Sequence, residues 1–284
     1  MSWSDRFWVS TRFTEILGMR SASVLLVIRL EYLETTMKTR QSGFTLVEIA
    51  IVLVIIGLLL GGIIQGQQLI NSARVKNLAE TNSGVQAAYF GFIDRYRQIP
   101  GDMNVDVANN AIGLNINGGG NANGRLDNEA GANVYDESNA AWEHLSLAGF
   151  IQGSYAGTGG TVPTFANNLA PVNAFNNPMT LGITNEYLTP SLPGVVGANN
   201  ASSNRLHLVV GRGIPVGIMR EMDVKVDDGV PDTGVLRATL AAATIFDNWG
   251  GSDSTCTGDD PYLSETIIWN VAGNSSDCNS VFLF

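Results

Sequence analysis

The chain has 284 residues, of which 45% are hydrophobic, 15% are charged and 32 are glycine. This length allows one membrane anchor together with one sizeable domain or two small ones. The net charge of -10 argues against broad binding to nucleic-acid phosphates. Removal of residues 1–43 would make the remainder more acidic, because it takes away six basic and four acidic residues and leaves 10 Lys and Arg against 22 Asp and Glu.

The most informative segment is residues 43–70, which read GFTLVEIAIVLVIIGLLLGGIIQGQQLI. No charged residue occurs from Ile49 to Ala73, and about 20 apolar residues suffice for a helix to span a bilayer. Glu48 is the exception, since a charge costs about 2.5–3.5 kcal/mol at the bilayer centre and usually marks a function or a partner. Two interpretations remain open: a signal anchor whose Glu48 reaches the interface, or a processed assembly subunit.

The residues around this segment resemble a known signal. Lys38-Thr-Arg-Gln-Ser-Gly43 is followed by Phe44-Thr-Leu-Val-Glu48 and the apolar run, which is similar to the class III signal of type IV pilins and type II secretion pseudopilins. In that family a prepilin peptidase cuts after the glycine, the new N-terminal phenylalanine is methylated, and the glutamate is fifth in the mature chain. The resemblance implies cleavage after Gly43, methylation of Phe44 and an assembly role for Glu48.

The resemblance also implies an α+β fold, in which a long N-terminal helix packs on a C-terminal antiparallel β-sheet domain with long loops. Residues 1–43 are then a leader, with 1–36 an upstream extension and 37–43 the prepilin leader that begins at Met37. Residues 44–98 form the long helix, which spans the membrane to about residue 70. Residues 99–284 form a globular α+β domain, expected in the periplasm or outside the cell, on a single-pass protein of the bacterial inner membrane.

The function implied by the family is structural rather than enzymatic. The expected partners are other pilin-like subunits, the prepilin peptidase, an inner-membrane assembly platform and inner-membrane lipid, and Glu48 is expected to pair with the N-terminus of Phe44 on a neighbouring subunit. The sequence is compatible with a pilus, a secretion pseudopilus or a competence filament. The alternative is a membrane-anchored periplasmic calcium- or glycan-binding domain or enzyme, but His144 and His207 are isolated and no catalytic or phosphate-binding motif appears.

The helix is expected to continue beyond the apolar run. Apolar residues recur at spacings of three and four and predict an amphipathic helix surface, namely Val75, Leu78, Val85, Ala88, Tyr89, Phe92, Ile93 and Tyr96. Pro100-Gly101 is the first strong stop signal, so the helix is predicted from about Phe44 to Arg97. Gly57, Gly61, Gly62 and Gly66 either permit close helix packing in a filament or are simply tolerated in a membrane helix.

Two segments offer oxygen ligands for a cation. Residues 115–129 resemble a calcium loop through Asn121, Asn123, Asp127 and Glu129, although the EF-hand register places Gly119 and Ala130 at ligand positions. The alternative there is a glycine-rich solvated loop. In residues 225–238, the side chains of Asp227, Asp228 and Asp232 either converge on a cation or belong to two consecutive turns.

The remaining elements are predicted from local patterns. Asp136–Gly149 reads as a short helix capped by Asp136 or Ser138, with Trp142 in the core and His144 on the surface or partly buried. Strands are expected at 180–183, 205–210, 267–271 and 281–283. The segment from Pro215 to Val226 favours a helix, although its end also suits a strand.

The two cysteines, Cys256 and Cys278, lie near the C-terminus. If the domain is exported, as the anchor implies, an oxidising compartment favours a disulfide between them, and a C-terminal disulfide is also frequent in the pilin family. Two unpaired buried thiols are the alternative.

Overall fold

The computed structural model describes residues 43–113, 115–126, 135–159, 162–190, 203–240, 255–259 and 267–284. The chain divides into two structural units, the first ending at Gly61 and the second running from Gly62 to Phe284. The helices are α1 (Leu46–Tyr96), α2 (Val105–Ile112), α3 (Asp136–Leu147), α4 (Val216–Val226) and a 3-10 turn at Val271–Gly273. The strands are β1 (Thr180–Thr184), β2 (Arg205–Val209), β3 (Leu236–Ala238), β4 (Thr257–Asp259), β5 (Ile267–Trp269) and β6 (Ser280–Leu283).

Helix α1 agrees with the predicted long helix to within two residues at each end. It contains no proline, and it ends at Tyr96 because Arg97 adopts a left-handed φ of 55° and Pro100 follows. Within the second unit, α1 contributes one buried stripe to the core, at Val75, Leu78, Val85, Ala88, Tyr89 and Phe92. Its spacing of three and four residues is that of one helix face.

The core sheet has the strand order β1-β2-β6-β3, with every neighbouring pair antiparallel. One row of side chains runs across all four strands in register: Leu181, Leu208, Phe282 and Leu236. This row belongs to the same apolar cluster as the buried stripe of α1. Val209 and Val281, which follow Leu208 in β2 and precede Phe282 in β6, belong to a second, smaller apolar cluster with Tyr187. The α+β architecture predicted from the sequence is therefore confirmed.

Helix α3 forms where it was predicted, but its predicted caps were wrong. Tyr135 occupies the N-cap position, and it makes no side-chain capping bond. Ser138 lies inside the helix, and its buried hydroxyl accepts a hydrogen bond from the backbone N–H of Leu181 at 3.3 Å. The Ser138 hydroxyl therefore bonds to β1 and does not cap the helix. Gly149, with a φ of 80°, follows the helix as predicted.

Helix α4 confirms the helical interpretation of the segment after Pro215, which itself occupies the N-cap position. Its apolar face buries Val216, Ile218, Met219 and Met222, and Asp223 is buried with them. Three further elements, α2, β3 and β4, were not predicted, and neither was the 3-10 turn at Val271–Gly273. Strand β3 has only three residues, and its partner is β6, more than 40 positions later in the chain.

A disulfide between Cys256 and Cys278 joins the two β-structures of the second unit, as expected from the cysteine count. Cys256 directly precedes β4, which forms a two-stranded ribbon with β5. Cys278 precedes β6, and its backbone N–H donates to the carbonyl of Ile214 at 2.9 Å. Both cysteines are fully buried, so the bridge fastens the ribbon to the segment that leads into β6, an inner strand of the core sheet.

Removal of this bridge by the double substitution Cys256→Ser and Cys278→Ser should lower the free energy of unfolding by about 3 kcal/mol, because the 22-residue separation restricts the unfolded chain. Urea denaturation of the full chain in detergent, followed by tryptophan fluorescence, measures the change. Reduced wild-type protein is the control and should match the double variant. An identical unfolding midpoint with and without the bridge would contradict the prediction.

Candidate functional site

The predicted processing site lies immediately before α1. Gly43 and Phe44 are exposed, and the Phe44 side chain retains 77% of its accessible surface. A methyl group added at Gly43 would meet no described atom within 4 Å. Packing within the chain therefore does not require glycine at position 43.

Thr45 caps the N-terminus of α1 through its side chain. The backbone N–H of Glu48 donates to Thr45 Oγ1 at 3.2 Å and lies 3.1 Å from the Thr45 carbonyl oxygen. Thr45-Leu-Val-Glu48 is therefore a capping-box sequence, with Thr45 at the N-cap and Glu48 at the third helical position. The carboxylate also lies in the first turn of α1, where the helix dipole favours a negative charge. The Thr45 cap is thus a local feature of the start of α1 that the sequence reasoning missed although the spacing shows it.

The apolar part of α1 is exposed on all sides within the chain. Large apolar side chains from Leu46 to Ile70 keep between 46% and 90% of their surface accessible. This helix is long and apolar enough to cross a membrane, and none of its most apolar 18-residue window is buried. Exposed apolar surface of this extent marks contact with lipid or with other proteins. The segment therefore fits a membrane anchor.

No packing contact with the described residues requires the four glycines of this segment. At Gly57, Gly61, Gly62 and Gly66, an added methyl group would meet no described atom within 4 Å. Glycine weakens a helix by about 1 kcal/mol relative to alanine, so these positions carry a cost with no described packing benefit inside the chain. Close approach of another helix would supply such a benefit.

Comparison with known families identifies the prokaryotic N-terminal methylation motif at residues 38–64. The chain therefore carries the N-terminal signal of type IV pilins and pseudopilins, which confirms the resemblance inferred from Gly43, Phe44 and Glu48. Neither the curated proteins nor the solved structures contain a significant match to the chain.

Buried carboxylates hold the glycine-rich loop. Both carboxylate oxygens of Asp102 accept backbone N–H bonds, from Asn123 and Gly124, each at 2.9 Å. Glu143 accepts the N–H of Gly118 at 2.7 Å and that of Asn117 at 3.1 Å. Asp102 and Glu143 are at most 3% exposed. The backbone N–H groups replace the water that these charges lose on burial.

This arrangement explains the run of glycines in the loop. A methyl group at Gly118 would lie 2.1 Å from the carbonyl oxygen of Gly157, and one at Gly120 would lie 2.6 Å from Glu137 Oε1. Gly118 is buried, so the expectation of a solvated loop is wrong at this point. Only glycine lets the backbone approach the carboxylates of α3 this closely.

Two of the four calcium ligands predicted in this loop lie among the described residues. The side-chain oxygens of Asn121 and Asn123 accept backbone N–H bonds two residues further on, at 2.9 and 2.8 Å, which is the geometry of Asx turns. The other two predicted ligands, Asp127 and Glu129, lie outside the described residues.

His144 links the loop to the segment after α1. It is fully buried, against the expectation of a surface or partly buried residue. Its Nδ1 accepts the N–H of Gly101 at 2.9 Å, and its Nε2 lies 3.1 Å from the carbonyl oxygen of Gly118, which requires a proton on Nε2. Burial lowers the pKa of His144 to about 4, and the bond to Gly118 only partly opposes this. The contacts assign His144 a structural role.

A second acidic group lies at the end of α4. One carboxylate oxygen each from Asp223, Asp227 and Asp228 lie within 4.8 Å of one another. Two of these, Asp227 and Asp228, were predicted as cation ligands, whereas Asp232 does not belong to the group. Asp223 was missed, although its position four residues after Met219 places a carboxylate on the buried stripe of α4. Burial raises the pKa of Asp223 to about 6, and the neighbouring carboxylates of Asp228 and Asp227 raise it further, whereas the Trp269 hydrogen bond and the nearby Gly229 backbone oppose the rise.

The substitution His144→Gln should make stability less sensitive to acid. At neutral pH the variant should lose about 1–3 kcal/mol, because Gly101 or Gly118 loses its buried partner. The wild-type histidine has a folded pKa of about 4 against about 6.5 when unfolded, so the unfolded state takes up the proton first. Its contribution is complete above about pH 6.5 and falls by up to about 3 kcal/mol toward pH 4.

The difference in unfolding free energy between wild type and His144→Gln should therefore shrink as the pH falls from 6.5 to 4. Denaturant titrations at several pH values measure it, and His207 and the carboxylates are common to both proteins and cancel in the comparison. A difference that stays constant with pH would contradict the buried neutral state of His144.

Proposed function

We propose that this chain is a structural subunit of a type IV pilus-like or type II secretion pseudopilus filament. The supporting observation is the joint presence of the N-terminal methylation motif and an apolar helix segment that the described chain leaves uncovered. In this proposal the prepilin peptidase cuts after Gly43, and Phe44 becomes the methylated N-terminus. The segment from Phe44 to about residue 70 lies first in inner-membrane lipid and then against the same segment of other subunits.

The proposed role of Glu48 is to set the position of one subunit against the next. Glu48 is exposed and belongs to none of the ion pairs among the described residues. A carboxylate surrounded by apolar side chains needs a positive partner to offset its desolvation. The N-terminal amine of Phe44 on a neighbouring subunit is such a partner, because cleavage creates it at the same end of the helix. One carboxylate among uncharged residues then favours a single axial position.

The remaining parts of the proposal concern orientation and packing. The leader is cytoplasmic and the second unit lies in the periplasm or at the cell surface, where the disulfide between Cys256 and Cys278 persists. The inner-membrane platform moves the subunit from lipid into the filament. Gly57, Gly61, Gly62 and Gly66 permit close contact between neighbouring helices, which explains their retention despite the absence of a described contact within the chain.

Cleavage should depend on a small residue at position 43. Gly43→Leu should remain unprocessed, because the peptidase must reach a backbone that a bulky side chain obstructs, whereas Gly43→Ala, with the smallest possible addition, should retain substantial processing. Mass spectrometry of the membrane fraction should find a methylated Phe44 at the N-terminus of the wild type. Efficient processing of Gly43→Leu, or a stable wild-type product that retains residues before 44, would contradict this assignment.

Assembly should depend on the charge of Glu48 and not on its place in the helix cap. Glu48→Gln keeps a capping-box side chain but removes the charge, so the subunit should be cleaved and held in the membrane but should enter filaments at less than about a tenth of the wild-type yield, since one lost ion pair in an apolar environment costs several kcal/mol. Sheared filaments quantified by immunoblot give the measurement.

Two matched variants distinguish the effect of the Glu48 charge from the effect of the helix cap. Thr45→Ala removes the capping hydroxyl at a cost of about 1 kcal/mol but keeps the carboxylate, so it should still assemble. Glu80→Gln removes an exposed carboxylate that pairs with Lys76 on the same helix, and it should assemble normally. Normal filament yield from Glu48→Gln would refute the proposed pairing, and failure of Thr45→Ala alone would assign the segment's role to helix capping.

A further inference from the structure

The acidic group at the end of α4 has the dimensions of a cation site. Oxygen atoms from Asp223, Asp227 and Asp228 all lie within 4.8 Å of one another. Calcium binds oxygen at about 2.3–2.6 Å, so two ligands on opposite sides of one ion are about 5 Å apart at most. A single ion between the three carboxylates can therefore contact all of them without a large rearrangement.

Asp223 supplies an independent indication, because one of its oxygens has no partner although the residue is fully buried. Oδ2 accepts a hydrogen bond from the indole nitrogen of Trp269 at 2.6 Å. Oδ1 has no hydrogen-bond partner among the described residues. A buried carboxylate oxygen without a partner costs free energy that the fold otherwise avoids. A bound cation would satisfy this oxygen.

None of the ion pairs among the described residues includes Asp223, Asp227 or Asp228. Lys225 is the basic residue nearest in sequence, and its ammonium contacts Glu221 and Ser72 instead. The Arg237 guanidinium donates to the carbonyl of Gly234 and lies over the Tyr187 ring. Asp223 lies in the last turn of α4 and Asp227 and Asp228 directly follow it, at the end where the helix dipole is negative and attracts positive charge. No described basic side chain therefore neutralises the three carboxylates, and a bound cation would do so.

The two less buried ligands are already held in position. Asp227 Oδ2 accepts the backbone N–H groups of Val235 and Leu236, the latter at 3.2 Å. Asp228 accepts the N–H of Val230 at 2.9 Å and the hydroxyl of Thr233. Hydrogen bonds of this kind orient carboxylates in metal sites. Each Asp228 oxygen accepts only one of these bonds and keeps a lone pair for a metal, and at Asp227 both bonds go to Oδ2, which leaves Oδ1 for a metal. The turn chemistry of this segment thus supports the site.

We propose that Asp223, Asp227 and Asp228 bind a divalent cation of the hard, oxygen-preferring class, with calcium as the best match. Three carboxylates in an irregular arrangement suit calcium, which accepts six to eight oxygens in flexible geometry, better than magnesium, which keeps several waters and requires near-octahedral geometry. Zinc is disfavoured because the group contains neither histidine nor cysteine. Bound calcium would tie the end of α4 to the turn before β3 and, through Trp269, to β5.

The site can be tested with terbium, a luminescent substitute for calcium. The Trp269 indole contacts one of the proposed ligands, so excitation of tryptophan should sensitise emission from terbium bound at the site. Titration of the full chain in detergent should give saturable emission that calcium displaces. The substitutions Asp227→Asn and Asp228→Asn preserve the shape of the side chains and should each weaken terbium binding about tenfold or more.

Asp232→Asn is the matched control, because Asp232 lies in the same segment but outside the group. It should bind terbium as the wild type does, and calcium should raise the melting temperature of wild type and Asp232→Asn but not of the two site variants. Circular dichroism without added cation shows whether each variant is folded, and two independent variants keep the test decisive if one is not. Absence of displaceable binding, wild-type affinity in both folded site variants, or an equal loss in Asp232→Asn would each overturn the proposal. None of these readouts depends on filament assembly.

Discussion

The constraint on which the rest of this protein depends is the uncovered apolar surface of the first half of α1. From Leu46 to Ile70 the helix exposes large aliphatic side chains on every side, and in water such a surface would associate with any apolar partner available. Beyond Val75 the same helix buries a single stripe in the core of the second unit. Among the described residues, one continuous helix therefore has two kinds of surface: an uncovered apolar first half, which fits a membrane anchor, and a second half packed into the core.

The uncovered apolar surface of α1 also determines which interactions Glu48 needs. On a helix in water, a glutamate at the third position would simply complete a cap with Thr45 and interact with the helix dipole. Next to an uncharged apolar run, the same carboxylate also requires a positive partner or water. A favourable place in the first turn of α1 and the proposed assembly role therefore fall on one residue, and substitutions at Thr45 and at Glu48 separate the cap from the charge because only Glu48 is charged.

The buried carboxylates of the second unit differ in how completely their oxygens are hydrogen-bonded. Asp102 and Glu143 are satisfied by backbone N–H groups of the glycine-rich loop, and Gly118 and Gly120 are needed for the close approach. At the end of α4, Asp223 has one satisfied oxygen and one without a partner, beside two further carboxylates. Carboxylates of the first kind complete a fold, whereas the group at the end of α4 is the one for which we propose a bound cation. That segment was one of the two in which the sequence predicted oxygen ligands.

The sequence by itself determined the features that depend on local chemistry: the processing signal around Gly43, the extent of α1, the buried stripe from Val75 to Phe92, and the helix after Pro215. Each is visible because neighbouring residues in the chain share one helix face or one motif. Only the tertiary structure decided the burial of His144, the loss of Ser138 as a cap, the strand at Leu236–Ala238 and the meeting of Asp223 with Asp227 and Asp228. These features depend on partners that are distant in sequence or on the turn that closes after α4, and hydrophobic periodicity carries no information about either.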